Sequence, residues 1–241
     1  IVNGVDSKSN YEEIIRKTKK WTGIKNLDLA KKVTIKHPYI YKNIKKHKKN
    51  INIVAIDFGC KNNILDILNR NNFRVTVVPC TFSFKQIMQY KPAGIFLSNG
   101  PGDPFATFKY VEDTIKKIIE KNLPTFGICL GHQLLALALN AKTKKMHHGH
   151  HGVNQPVKDL LTNKIEITSQ NHGFMVDKNS LPSNIKVTHI SLFDNIIQGI
   201  EHKSKPFFSV QYHPESSPGP HDSKYLFKKF KKLIENKNNA K

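Results

Sequence analysis

Arginine is nearly missing from a chain that is otherwise strongly basic. The 241 residues hold 39 lysines and arginines against 18 acidic residues, for a formal charge of +21. Only Arg16, Arg70 and Arg74 are arginine. Base readout in DNA leans on the bidentate guanidinium, and single-strand grooves interleave aromatics with basic residues. Neither pattern is present, so no nucleic acid partner is expected. The lysines, rich among Asn and Ile, read as a solvated surface. Long apolar runs are missing too. None approaches the roughly 20 residues that cross a bilayer, so no membrane association is expected. Cysteine is scarce: Cys60, Cys80 and Cys129 form neither an even disulfide set nor a metal spacing. With no secretory leader in view, a cytoplasmic home is expected. No methionine precedes Met88, so the expectation is a fragment of a longer chain. A Walker-type Gly-rich Lys loop is also missing, which excludes that mode of ATP binding.

What is present has a clear rhythm. Tyr11 to Lys20 reads as an amphipathic helix with Ile14 and Ile15 inward. A short helix is expected within Asn26 to Thr34, with Asn26 or Asp28 near its start. Tyr41 to Asn50 is polar and densely charged and reads as a linker. The domain boundary is therefore placed at residue 50: residues 1–50 are a remnant plus basic linker, and 51–241 form the main domain. Strands are expected at Ile51 to Phe58, Phe73 to Val78, Gly94 to Leu97 and Thr125 to Ile128. Helices are expected at Asn62 to Arg70 and Thr107 to Lys121. Strands alternating with helices imply an α/β fold with a mostly parallel central sheet covered by helices on both faces. Ligands then bind at the carboxyl ends of the strands. Further short strands are expected at Ile165 to Ser169, Ile185 to Ile190, Ile197 to Ile200 and Phe207 to Tyr212. A basic helix closes the chain at about Ser223 to Glu235.

One stretch carries the chemistry. Thr125-Phe-Gly-Ile-Cys129-Leu-Gly-His-Gln133 passes from an apolar strand to a run of helix formers, with glycines two before and two after the cysteine. That is the pattern of a nucleophile elbow. It places a thiol at a helix N-terminus, a setting that lowers cysteine pKa values from about 8.5 to roughly 3.5–7.5. A cysteine nucleophile needs a base, and the base needs an orienting group. His213-Pro-Glu215 supplies both if the carboxylate holds one imidazole nitrogen and the other faces the thiol. Backbone N–H groups of Leu130 and of Gly100 and Gly102, in Asn99-Gly-Pro-Gly-Asp-Pro104, are candidates for an oxyanion hole. Taken alone, each piece has a plainer reading. Cys129 could be a buried small hydrophobe, His-Pro-Glu a turn with a surface ion link, and the Pro/Gly run an ordinary turn. Four imidazoles in His147-His-Gly-His-His151 suggest adventitious metal binding, and no intrinsic metal site is expected.

Phe126-Gly-Ile-Cys-Leu-Gly-His-Gln133 together with His213-Pro-Glu215 resembles the triad-type, class I glutamine amidotransferases. Further segments resemble the small-subunit family of carbamoyl-phosphate synthase. These are Leu27 to Thr34, Asp57 to Ile64, Leu97 to Pro104, Gly149 to Val157, Thr168 to Phe174 and Ser217 to Asp222. The resemblance implies a flavodoxin-like amidotransferase architecture with a short N-terminal helical or linker segment. It implies Cys129, His213 and Glu215 as the catalytic triad. It also implies glutamine contacts at Gly100, Gly102, Leu130, Gln133, Asn171, Gly173 and Phe174. The implied reaction is hydrolysis of L-glutamine, with ammonia passed to a large subunit. That partner, with ATP and Mg, would make carbamoyl phosphate from bicarbonate for arginine and pyrimidine biosynthesis; no cofactor is implied in this chain. The family normally has an additional N-terminal domain that contributes a serine to the glutamine site. The alternatives are another class I amidotransferase or a γ-glutamyl hydrolase on the same fold, and, from a different class, a basic binding module with a dead site.

Overall fold

The computed structural model describes residues 11–42, 50–216 and 218–239. Most of the charged linker expected at Tyr41 to Asn50, and Ser217 of the Ser217–Asp222 motif, lie outside these residues.

In chain order the elements are α1 (Tyr11–Lys19), α2 (Ala30–Val33), β1 (Tyr39–Ile40), β2 (Ile51–Asp57), α3 (Asn62–Arg70) and β3 (Phe73–Pro79). Then come α4 (Phe84–Met88), β4 (Gly94–Leu97), α5 (Pro104–Glu120), β5 (Thr125–Ile128), α6 (Leu130–Ala138) and β6 (Thr143–Asp159). The chain continues through β7 (Ile165–Val176), β8 (Ile185–Ser191), β9 (Ile197–His202), β10 (Phe207–Val210) and α7 (Tyr225–Asn239). One sheet takes the order β1-β3-β2-β4-β5-β10-β9-β8-β6-β7. From β3 through β10 every pairing is parallel. The pairings beyond β10, and that of β1 with β3, are antiparallel.

The strand residues alternate between two cores, as a sheet buried on both faces requires. Ile53, Ala55, Val75, Val77, Phe96, Phe126 and Phe208 face α3 and α7. Val54, Ile56, Val78, Ile95, Leu97 and Phe207 face α4, α5 and α6. Phe126 stacks on Phe208 with centroids 4.5 Å apart, and Phe96 and Phe227 meet its edges.

α5 starts three residues before the helix expected from periodicity. Asp103 caps it by accepting from the Phe105 N–H at 2.8 Å, and Pro104 occupies the first turn, where its missing N–H costs nothing. α1 forms, but none of its residues is buried, and Ile15 is 52% exposed rather than turned inward. The segment between α1 and β1 is tied to the sheet. The Asp103 N–H donates to Leu27 O, the Ile35 N–H to Asp57 Oδ2, and the Thr34 hydroxyl to Asp57 O.

Candidate active site

Three neighbouring parallel strands, β4, β5 and β10, end together, and each delivers a different part of the site. Cys129 follows β5 and is the cap of α6, with φ 54° and ψ −104°. A side chain is strained there. The turn is held by the Cys129 N–H donating to Val210 O, the Gly131 N–H to Ser98 O, and the Gln133 N–H to Cys129 O. The flanking glycines follow from contact distances. A Cβ on Gly131 would lie 2.2 Å from Leu97 O, and one on Gly127 would lie 2.7 Å from Gly131 O.

The loop after β4 is fixed from both sides. The Ser98 hydroxyl accepts from the Phe58 N–H and donates to Asn99 O. The Asn99 side chain accepts from the Lys61 N–H and donates to Gly59 O. Gly100 packs so closely that a Cβ would meet Phe58 O at 2.2 Å; Gly102 has φ 102° beneath Leu27 and Leu29.

His213 follows β10. Its backbone N–H donates to Ser169 O of β7, and its Nδ1 donates to Glu215 Oε1 at 2.7 Å. Glu215 is fully buried, and its Oε1 also takes an ion pair from Lys61 Nζ at 3.0 Å. Burial pulls the His213 pKa down, but hydrogen bonds to Cys129 and Glu215, and the charges of both, outweigh it and raise it to about 9. Burial would raise the Glu215 carboxyl; His213 and Lys61 overcome this and hold it below its ordinary value. The imidazolium is thus the favoured form at neutral pH.

These shifts set opposite pH dependences for stability. The His213 contribution is fully present below its ordinary 6.5 and is lost as pH rises through about 9. The Glu215 contribution is present above its ordinary 4.5 and is lost as pH falls through its depressed value. An NMR titration of the His213 ring should therefore show a midpoint near 9, moving downward in Cys129→Ala and in Glu215→Gln. A midpoint at the ordinary value in the unsubstituted protein would contradict this.

A cavity of about 200 Å³ opens on the thiol, lined by Cys129, Gly100, Gly102, Gln133, Asn171, Gly173 and Phe174 among others. Of the seven glutamine contacts expected, six line it. Leu130 stands behind, its Cδ2 the side-chain atom a Cβ on Gly100 would meet at 2.9 Å. Its N–H lies in the first turn of α6, where no intrahelical acceptor exists. Gln133 donates from Nε2 to both Phe174 O and Gln211 Oε1. Both amide hydrogens are thereby used, so Gln133 presents only its acceptor, Oε1. That suits an ammonium rather than a carboxylate.

Five further residues line the cavity beside Cys129 and the expected glutamine contacts. Ile24 and Leu29 roof the cavity, and Pro101, His151 and His172 complete its wall. Ile24 lies outside every segment that carries the family resemblance; the other four lie inside such segments, but no local chemistry marks them. The four imidazoles of residues 147–151 do not converge. His147 and His148 pack edge to face, His150 bonds to Gln170 and Asp194, and His151 bonds to Asn171. Among the described residues the group spaced for a cation is Asp159, Glu166 and His189. Its members already hold internal partners: Leu161 and Thr162 on Asp159, Ser223 on Glu166, and Tyr225 on His189.

A thiol on a strained strand-to-helix turn, an imidazole that feels its charge and a carboxylate behind the imidazole are the groups a cysteine-nucleophile hydrolase or transferase uses, here at the strand ends of a doubly covered α/β sheet. Residues 54–233 match the family described as glutamine amidotransferase class-I, and the chain belongs to that family. The carbamoyl phosphate synthase small chain of Bartonella bacilliformis is 54% identical over 242 residues, covering 96% of this chain and 61% of that protein. The protein of the same name from Brucella anthropi is 49% identical over 246 residues, covering 98% and 60%. The chain thus spans about three fifths of the length of these relatives. Among solved structures, a protein assigned to GMP synthase from Thermoplasma acidophilum superposes with a TM-score of 0.70 at 21% identity. It covers 80% of this chain and 98% of that one. A glutamine amidotransferase from Thermotoga maritima gives a TM-score of 0.58 at 21% identity, covering 79% and 86%. These two likenesses concern the fold.

Proposed function

We propose that the chain is the glutaminase part of a glutamine-hydrolysing carbamoyl-phosphate synthase. The observation that carries the reading is Cys129 lining a cavity with Gly100, Gly102, Gln133 and Asn171, while His213, bonded to Glu215, feels the charge of that thiol. Identity of about one residue in two to proteins named carbamoyl phosphate synthase small chain supports the particular reaction.

The Cys129 thiolate attacks the side-chain carbonyl carbon of glutamine, and the oxyanion forms against backbone N–H groups of Leu130 and the Gly100–Gly102 loop. One such donor is typically worth about 2.7–4 kcal/mol in the transition state. His213 gives its proton to the departing nitrogen, so ammonia leaves and a thioester remains. The now neutral imidazole takes a proton from water, and the hydroxide formed attacks the thioester. Glutamate departs, the thiolate returns, and His213 again carries its proton. Gln133 Oε1 receives the substrate's ammonium. Ammonia then passes to a large synthetase chain that joins it to bicarbonate, with ATP and Mg at that partner. No helix among the described residues is long and apolar enough to cross a membrane.

The test is a glutaminase assay with and without a matching large chain. Glutamate release that rises when the large chain is added, with carbamoyl phosphate formed in step, supports the reading. Glutamate release that ignores the large chain favours a γ-glutamyl hydrolase or another amidotransferase.

A further inference from the structure

The sequence after β2, Gly59-Cys-Lys61, places a cation where the triad ends. β2 pairs with β4, which pairs with β5, so the carboxyl end of β2 lies one strand beyond the loop facing the thiol. Lys61 is the cap residue of α3, and its backbone N–H is pinned by Asn99. Two residues on, Asn63 Nδ2 donates to Glu215 O at 2.6 Å. The N-terminus of α3 therefore grips Glu215 at both its backbone and its carboxylate. Lys61 Nζ and His213 Nδ1 share the same oxygen, Oε1. The other oxygen, Oε2, is buried and has no hydrogen-bond partner among the described residues.

We propose that Lys61 is a positioning residue for the triad: it keeps Glu215 ionised through the part of the cycle in which His213 is neutral. The proposal rests on the glutaminase reading for its place in turnover. While His213 is an imidazolium, Glu215 has a counter-ion at 2.7 Å. Once the proton passes to the leaving nitrogen, that counter-ion is gone. A buried carboxylate without a paired charge takes up a proton. A protonated Glu215 would no longer accept from Nδ1–H, and the tautomer that leaves Nε2 free for water would be lost. The ion pair of Lys61 with Oε1 does not depend on His213 and prevents this.

Other charged and titratable groups surround the pair. Asp57 at the end of β2 spends its carboxylate on the N–H groups of Gly59, Cys60 and Ile35. Burial pushes the Cys60 thiol well up, and the charges of Asp57 and Glu215 add to this. Burial likewise raises Tyr39 of β1, with Cys60 and Asp57 adding to it. His172 of β7, near enough to feel the charge on His213, is held neutral, at about 3, chiefly by burial. None of these supplies a positive charge to Glu215.

The test is the pH profile of Cys129 alkylation by iodoacetamide, resolved from Cys60 and Cys80 by peptide mass spectrometry, with glutamine hydrolysis measured in parallel. Removing Lys61 leaves Glu215 more negative towards His213. The imidazolium then becomes harder to deprotonate, and the inflection that reports it moves to alkaline pH. Lys61→Gln should show that displacement, with kcat for glutamine lowered about tenfold or more and KM little changed. That loss is a fraction of the roughly 10²–10⁴ that general acid–base help supplies. Lys61→Arg should restore both. A Lys61→Gln profile that superposes on the unsubstituted one overturns the proposal. So does an Arg variant displaced as far as the Gln variant. Lys61→Met serves as a second neutral variant; if neither neutral variant folds while Lys61→Arg does, the charge is structural and the proposal fails. Normal alkylation without glutamine hydrolysis in the unsubstituted protein would refute the glutaminase reading and leave the alkylation result to judge Lys61.

Discussion

Cys129→Ala is expected to remove glutamine hydrolysis, lowering it by on the order of 10⁴-fold or more. Synthesis from added ammonium by the assembled complex should persist, because under the proposed function only the delivery of ammonia depends on this thiol. Loss of both activities in a correctly assembled complex would contradict the division of labour. The same position offers a test of the turn itself. Cys129 has φ 54° and ψ −104°, a conformation that glycine tolerates and side chains resist. Alanine keeps the strain and glycine relieves it. Both should be inactive, yet Cys129→Gly should be more stable than Cys129→Ala by about 1 kcal/mol in urea unfolding. Equal midpoints would mean that the turn stores no strain.

Gly131→Ala should be far more damaging than its chemistry suggests. Gly131 lies in the first turn of α6, where propensity alone would favour alanine by up to about 1 kcal/mol. The added Cβ, however, would fall 2.2 Å from Leu97 O and 2.7 Å from Leu97 C. Both are backbone atoms of β4 and cannot swing aside. Either α6 retreats from the sheet or β4 bends, and each disturbs the Gly131 N–H to Ser98 O bond that ties the elbow to the Gly100 loop. A loss of about 3 kcal/mol or more is expected, with slower Cys129 alkylation. An unchanged or raised urea midpoint would show that the contact is easily relaxed.

Much of this site was readable because its pieces are local. The elbow needs glycines at fixed offsets from the cysteine, and the His–Glu pair spans two residues. Both are therefore written in consecutive letters. The parallel strands were readable for a similar reason: they are buried on both faces and appear as short apolar runs, as at Gly94–Leu97 and Thr125–Ile128. β6 was not readable. Seventeen residues from Thr143 to Asp159 form a strand, yet only Met146, His150, Val157 and Asp159 are buried along it. Its pairing with β7 slips at two places, between Lys145 and His150 and between Gly152 and Gln155. These slips break the two-residue alternation by which a strand is recognised. β7 is legible in the sequence only over its first five residues, because the remainder begins as a polar run, and Asn171 to Phe174 line the cavity. Ile24 reaches the site through tertiary contacts, and nothing in its immediate neighbours marks it; Leu29 and Lys61 lie in segments that carry the family resemblance, but no local chemistry marks their contacts with the site.

The most direct measurement is the mass of the folded protein after incubation with diazo-oxo-norleucine, a glutamine-shaped electrophile. A single adduct on Cys129 is expected, absent from Cys60 and Cys80, slowed by excess L-glutamine and lost in His213→Ala. A protein that keeps its fold yet shows no adduct at Cys129, or labelling that glutamine does not slow, would contradict the account.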